Sequence, residues 1–210
     1  RHTRFRNVTG VQTCALPISE TKAELEILRN KSGPFVEFLR KLQVFDQNGL
    51  CGDPGEIVQI MNTADHCLFV HGNYLSGNVL SHLKGKTVVY CPRTHQAFGH
   101  ESYPIEKLLT NGVRVVLGTD SLASNPDLSV LNEARFVRRR FPGIDLESIL
   151  RMCTIQAAES MGLDQITGSL KNGKSADFVT MPLAEGFSNC PLEAIDRKST
   201  RLNSSHVSEF

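Results

Sequence analysis

Three short apolar runs, each followed by polar side chains and separated from the next by a helical pattern, constrain the fold of this chain more than any other feature. The runs cover residues 67–70, 87–91 and 113–118. Because they are apolar almost throughout and do not alternate with polar residues, they predict strands that are buried on both faces. Such strands, alternating with helices, are typical of an α/β fold built on a parallel sheet.

Helical patterns fill the intervals between these runs. Apolar residues recur at spacings of three and four, and glycine-containing turns end several of the patterns. The patterns predict helices at 20–42 (with an interruption near Gly33), 56–61, 75–83, 105–110, 128–140 and 146–161. No G-x-G-x-x-G or G-x-x-x-x-G-K-[ST] pattern occurs, which argues against a dinucleotide or P-loop nucleotide site.

Polar side chains that could perform chemistry follow the predicted strands. His71 ends the first strand, Thr94 and His95 follow the second, and Asp120 follows the third. Both a β/α barrel and a doubly wound sheet place their active sites at this end of the strands. A lone histidine there is compatible with a structural role, whereas an acid such as Asp120 is costly to bury unless it is paired or binds a metal.

The composition excludes several classes of protein. The chain has 210 residues, a net charge of +1 and 40% hydrophobic residues, and no apolar run approaches the length of a membrane span. We therefore expect neither a nucleic acid nor a membrane as a partner, since a nucleic-acid surface usually needs clustered basic charge. The six cysteines form no C-x-x-C pair, which favours free thiols and a cytoplasmic location.

Both ends of the chain resemble translated sequencing adapter. Residues 8–18 read VTGVQTCALPI and residues 196–206 read DRKSTRLNSSH. Codons for the first block can be written as one library oligonucleotide, and codons for the second block as its reverse complement. We therefore predict that residues 1–18 and 196–210 are adapter-derived and not native. The natural segment is then about 19–195, cut at both ends.

Five segments in one order resemble the amidohydrolase superfamily, within it the branch of cytosine deaminase, chlorohydrolase and methylthioadenosine/adenosylhomocysteine deaminase. The segments are FVHGNYL at 69–75, YCPRTH at 90–95, LGTDSLASNPDLSVLNEAR at 117–135, TIQAAESMGL at 154–163 and GSLKNGKSADFV at 168–179. The resemblance implies a metal-dependent TIM barrel with a small β-sandwich. It predicts that residues 19–166 are the C-terminal half of a (β/α)8 barrel and that residues 167–195 begin the return to the sandwich.

The resemblance also implies roles for individual residues. Asp120 takes the place of the metal-binding aspartate of the last strand, and His71 that of the histidine beside the attacking water. Glu20 takes the place of the proton-shuttling glutamate of an H-x-x-E element, whose histidine would stand where Pro17 lies. The implied cofactor is a divalent metal, zinc by its usual ligands, at about one per chain in a full-length parent.

Residues after the second predicted strand are candidates for substrate binding. Arg93 and His95 suit an anionic or ribose-bearing substrate, and His95 stands where relatives commonly have asparagine. Ser121, next to Asp120, is a third candidate. A purely structural role for this loop stays open.

These features together predict a hydrolase that acts on C–N bonds, by deamination of an aminated purine-like or other nitrogen heterocycle. The expected partner is a small-molecule substrate, and a homo-oligomer is left open. The alternatives are an amidohydrolase or chlorohydrolase with another substrate, or a non-catalytic half-barrel. We expect the 210-residue chain itself to be inactive and poorly soluble, because an incomplete barrel exposes strand edges.

Overall fold

A mostly parallel β-sheet forms the centre of the computed structural model, which describes residues 3–6 and 12–180. The strands of this part of the chain are β1 Thr3–Arg6, β2 Gln12–Ile18, β3 His66–His71, β4 Thr87–Tyr90 and β5 Arg114–Leu117. They lie side by side in the order β1-β2-β3-β4-β5. β1 is antiparallel to β2, and all other neighbours are parallel, which confirms the predicted α/β class.

The register brings the carboxyl ends of the parallel strands to one edge of the sheet. Ile18 pairs with His71 across β2 and β3, and Tyr90 pairs with Leu117 across β4 and β5. The residues that follow each strand are therefore neighbours in space, although they are far apart along the chain.

Helices connect the strands and cover the sheet. Within the described residues they are α1 Lys22–Asn30, α2 Pro34–Lys41, α3 Pro54–Met61, α4 Val79–His82, α5 Pro92–Ala97, α6 Ile105–Thr110, α7 Val130–Arg140, α8 Leu146–Cys153 and α9 Ile155–Ser160. Side-chain caps fix several starts: Thr21 accepts from the backbone of α1, and Ser129 and Asp145 do the same for α7 and α8. None of these helices combines the length and apolarity that a bilayer span requires.

The predicted helices differ from the observed ones in three places. The pattern at 146–161 is two helices, because Thr154 has φ −126° and ψ −102° and breaks the helical path. The helix predicted at 75–83 is shorter in the structure, where it is α4, Val79–His82. The third difference is α5, which was not predicted. Pro92 starts α5 at the first helical position, where its missing N–H costs nothing.

The main core lies between the sheet and the helices that pack on it. Its fully buried members include Phe69 and Val88 on strands and Leu108, Val137 and Ile149 on helices. Burial of such side chains is the main favourable contribution to folding, at about 1.5–3 kcal/mol for each large apolar residue.

The segments predicted to be non-native or to leave the barrel can be located in part. β2, within the predicted adapter-derived residues, lies between β1 and β3, so its origin stays a prediction. Residues 167–180, the start of the predicted sandwich return, form turns and no strand, and 181–195 lie outside the described residues. The five cysteines of the described part are free thiols, as predicted, and Cys190 lies outside it.

Candidate active site

Glu20, His71 and Asp120 come together at the carboxyl edge of the sheet. One potential ligand atom from each lies within 4.8 Å of the others. The Nε2 atom of His71 is 3.8 Å from a carboxylate oxygen of Glu20, and the two side chains are 8% and 32% exposed. Asp120 is exposed. The structure thus brings three predicted residues from the ends of β2, β3 and β5 into one cluster, and their catalytic roles stay predictions.

Left-handed backbone marks this edge. His71 has φ +69°, Asp120 has φ +60° and Ser19 has φ +50°, a region that non-glycine residues rarely adopt. Such strain persists only where the surroundings enforce it, and it clusters at functional sites. The buried hydroxyl of Tyr103 donates to the carbonyl oxygen of the left-handed His71 at 2.8 Å.

The carboxylate of Glu24 holds the Glu20 side of the cluster. Its two oxygens accept from the backbone N–H groups of Ser19 at 2.6 Å and Glu20 at 2.9 Å. The side-chain amide of Asn73 donates to the Glu20 carbonyl oxygen at 3.0 Å. Burial raises the pKa of Glu24, and the two backbone hydrogen bonds oppose that rise.

Hydrogen bonds to the preceding residue hold the Asp120 side. The carbonyl oxygen of Thr119 accepts from the Asn125 side-chain amide at 2.7 Å and from the Thr94 hydroxyl at 3.3 Å. The Ser124 hydroxyl donates to a carboxylate oxygen of Asp120 at 3.3 Å. The carbonyl group before Asp120 and the carboxylate of Asp120 are therefore both held by hydrogen bonds.

Arg93 lies in a network of carboxylates. Its Nε donates to fully buried Glu133 at 2.7 Å, and its Nη2 donates to Asp127 at 2.6 Å. The backbone N–H of Arg93 donates to the other oxygen of Glu133 at 3.0 Å. The guanidinium is thus engaged by protein groups, and substrate binding by Arg93 stays a prediction.

His95 lies among aromatic rings. Its imidazole meets Tyr90 and Tyr103 edge to face at centroid distances of 5.7 and 5.5 Å, and His100 at 5.3 Å. Its buried Nε2 atom has no hydrogen-bond partner among the described residues. Burial, and then the charge of His100, lowers the pKa of His95 to about 4, so the ring is neutral at pH 7.

Ser121, the third predicted substrate contact, is exposed beside Asp120. Its hydroxyl accepts from the backbone N–H of Ala123 at 3.3 Å. The roles of His95 and Ser121 toward a substrate stay predictions.

Cys91 lies at the same edge but is not suited to act as a nucleophile. Burial, and then the negative charge of Asp120, raises the pKa of its thiol to about 12. A thiol in that state carries almost no thiolate at neutral pH, which is the form that attacks carbon.

The donor set of the cluster fits a divalent metal. One imidazole nitrogen and two carboxylates within 4.8 Å are the ligand types that zinc takes in hydrolytic enzymes. Both carboxylates belong to partly buried or exposed residues at the open edge of the sheet, so an ion and a water can reach them.

Residues that support the cluster were missed from the sequence. They are Glu24, Tyr103, Asn125 and Glu133. Glu133 could have been found, because it shares the buried face of α7 with Ala134 and Val137, where a carboxylate requires a partner. No comparable signal marks Tyr103 or Glu24.

Comparisons with known proteins agree with this geometry. The profile of the Amidohydrolase family matches residues 9–201. The chain is 34% identical over 175 residues to the 5-methylthioadenosine/S-adenosylhomocysteine deaminase of Pyrococcus furiosus, an alignment that covers 79% of this chain and 37% of that protein. The chain thus spans less than half the length of this relative.

Solved structures share the fold. Helicobacter pylori aminofutalosine deaminase in complex with methylthio-coformycin has a TM-score of 0.74 and 25% identity, covering 86% of this chain and 45% of that one. A zinc-bound adenosine deaminase from Xanthomonas campestris has a TM-score of 0.63 and 22% identity, covering 86% and 40%. The second likeness is one of fold alone.

Proposed function

Since this chain belongs to the amidohydrolase family, we propose that the whole protein of which it is part removes an amino group by hydrolysis from a purine-like heterocycle. Support comes from the named relatives, which are deaminases of adenosine-type compounds. The observation that carries the proposal is the convergence of Glu20, His71 and Asp120 within 4.8 Å. The three come from separate strands, and only the fold unites them.

We further propose that residues 19–166 are the C-terminal half of a (β/α)8 barrel. Strands β3, β4 and β5 of this segment are parallel and lie in the order in which they occur in the chain. A doubly wound sheet reverses its strand order at a switch point, whereas a barrel keeps it. The shares of 37% and 45% of the relatives' lengths are consistent with a half-barrel.

Asp120 is the residue of this chain that we assign to the metal. The chemistry that such a metal supplies is a lowering of the pKa of water, which provides a nucleophilic oxygen near neutral pH. Further ligands would come from the part of the protein that precedes this segment.

The side chains of the cluster divide the proton transfers between them. Asp120 accepts a proton from the attacking water, and Glu20 donates one to the ring nitrogen beside the carbon under attack. His71, at 3.8 Å from Glu20, donates a hydrogen bond to the attacking oxygen and stabilises its charge.

The transfers balance over one cycle. The water oxygen bonds to the ring carbon, and the bond from that carbon to the exocyclic nitrogen breaks. The electron pair leaves with the nitrogen, which takes the proton from Asp120 and departs as ammonia. Glu20 recovers a proton from the new hydroxyl group as the ring carbonyl forms.

Ammonia release by the whole protein tests this function. The panel is adenosine, 5′-methylthioadenosine, S-adenosylhomocysteine, aminofutalosine and guanine. We expect release from at least one compound, a loss of turnover greater than about 10²–10⁴-fold for Asp120→Asn, and a comparable loss for Glu20→Gln with the metal retained. Glu106→Gln, an exposed carboxylate on α6, is the matched control and should keep full turnover.

Three results would contradict the proposal. They are normal turnover in Asp120→Asn, loss of metal in Glu20→Gln, and a metal-loaded protein that releases ammonia from none of the five compounds. The last result would favour a different leaving group or a non-catalytic protein.

A further inference from the structure

We infer that Asn125 is the positioning residue for Asp120, acting through the carbonyl group of Thr119; the inference rests on the proposed metal-binding role of Asp120. Asn125 is 4% exposed and does not touch the Asp120 side chain in any described hydrogen bond. Its effect on the site would therefore be indirect.

One side-chain amide joins two acceptors here. The Nδ2 atom of Asn125 donates to the Thr119 carbonyl oxygen at 2.7 Å and to a Glu133 carboxylate oxygen at 2.6 Å. An amide NH₂ has two protons and can serve both acceptors at once. Among the described residues the buried Oδ1 atom of Asn125 has no hydrogen-bond partner, so the hydrogen bonds that orient the amide there are the two that it donates.

Glu133 makes this connection rigid. Its carboxylate is fully buried and also accepts from Nε and the backbone N–H of Arg93. Arg93 is in turn fixed by Asp127 at 2.6 Å. Charge-assisted bonds of this kind are shorter and stronger than neutral ones, so Asn125 is attached to an anchor that moves little.

The backbone at Asp120 needs such an anchor. Its φ of +60° is unfavourable for a residue with a side chain, and relaxation to an extended conformation would turn the carboxylate away. Without the Asn125 amide, the hydrogen bond that the Thr119 carbonyl keeps within the described part of the chain is the longer one from the Thr94 hydroxyl, at 3.3 Å. The side chain that would bind the metal therefore depends on a residue five positions later.

Zinc affinity of the whole protein, measured by competition with a chelator, tests the positioning role. We expect Asn125→Ala to weaken zinc about 10–100-fold, the effect typical of residues that orient a ligand. We also expect a lower kcat at an unchanged KM, and faster hydrogen exchange at residues 119–124 in the metal-free protein.

Asn132→Ala is the matched control. Asn132 donates to Asp127 at 3.0 Å and so belongs to the same network, but it makes no described hydrogen bond to Thr119. It should lower the free energy of unfolding while keeping zinc affinity. A purely structural role of Asn125 would give the two variants the same result, with zinc affinity within about twofold of wild type, and would overturn the inference.

Two further variants keep the outcomes separate. If Asn125→Ala does not fold, Asn125→Ser takes its place, because a serine hydroxyl has one proton and cannot donate to both Thr119 and Glu133. Zinc affinity within about twofold of wild type in that variant overturns the inference. Asp120→Asn tests the foundation. If it binds zinc normally, the proposed function fails; if it loses zinc while Asn125→Ala does not, only the positioning role fails.

Discussion

The two sides of the candidate site are held in different ways. On the Asp120 side, the site is held by buried charged groups. Glu133 binds Arg93, and Asn125 connects that pair to Thr119 by hydrogen bonds. On the Glu20 side, one partly buried carboxylate, Glu24, accepts from two backbone N–H groups.

The difference fits the two proposed roles. A metal ligand has to keep one position, because the ion tolerates little change in distance or direction. A proton carrier has to reach two atoms during a cycle, so a lighter restraint suits it. The strongest local network therefore surrounds the residue that has the least freedom to move.

Glu133→Ala should have the largest effect on stability. It removes the buried acceptor of three donors, which are the Arg93 side chain, the Arg93 backbone N–H and the Asn125 amide, and the removal of one partner of a buried pair costs about 3–5 kcal/mol. Denaturant unfolding of the whole protein measures this loss. Glu159→Ala, which breaks a half-exposed pair with Arg114, is the control at no more than about 1 kcal/mol. Equal losses in the free energy of unfolding for Glu133→Ala and Glu159→Ala would contradict the larger role assigned to the buried pair.

Glu24→Ala should cost less than Glu133→Ala. Two backbone N–H groups lose their acceptor, and each unsatisfied buried group costs about 1–3 kcal/mol, less where water can reach it. Turnover should fall along with stability because Glu20 loses its restraint, while zinc affinity should hold. A loss of zinc in Glu24→Ala would show that the two sides are not independent.

Tyr103→Phe should have a smaller effect again. It removes one hydrogen bond to the His71 carbonyl, worth about 0.5–1.5 kcal/mol, and leaves the ring stacked on Tyr90 at 3.6 Å between centroids. Thermal unfolding of wild type and Tyr103→Phe measures the free energy that this hydrogen bond contributes. A change above the Glu24→Ala cost would place Tyr103 among the main supports of the site.

The smallest effect concerns pH. Arg93 holds the pKa of Asp127 well below its ordinary value of 3.8, so the contribution of this pair is present above that value and is lost as the pH falls toward the folded-state pKa. Glu24 has the opposite sign: its raised pKa makes the folded state bind protons more readily, so its contribution to stability falls as the pH rises.

Unfolding curves across the acid range separate the two groups. Asp127→Asn should be less stable than wild type near pH 6 and should approach wild type below about pH 4. The free energy of unfolding of Glu24→Gln should differ most from that of wild type at neutral pH. Parallel curves for wild type and Asp127→Asn would contradict the assigned direction.

Much of the fold could be predicted because it depends on local patterns. The apolar runs that form β3, β4 and β5 predict strands correctly, and α6 matches its predicted bounds at 105–110. The predicted helix ends were less accurate. Thr154 ends α8 through its backbone angles, which no residue pattern in the sequence indicates.

The candidate site was predictable only where residues end strands. His71 and Asp120 do so, and parallel strands bring such residues to one edge. The supports of the site depend on contacts across long stretches of sequence, such as Tyr103 with His71 and Arg93 with Glu133. The resemblance to the family supplied Glu20, which position alone would not have distinguished from a helix-start acid.

The position of a bound zinc ion distinguishes Asp120 from Glu20 as the metal ligand. The measurement is anomalous diffraction at the zinc edge from crystals of the whole protein grown with zinc. We expect one strong peak beside the Asp120 carboxylate, about 2.0–2.2 Å from an oxygen, with Glu20 close to it but not bound. A peak bound by Glu20 and not by Asp120, or no peak at this edge of the sheet, would contradict it.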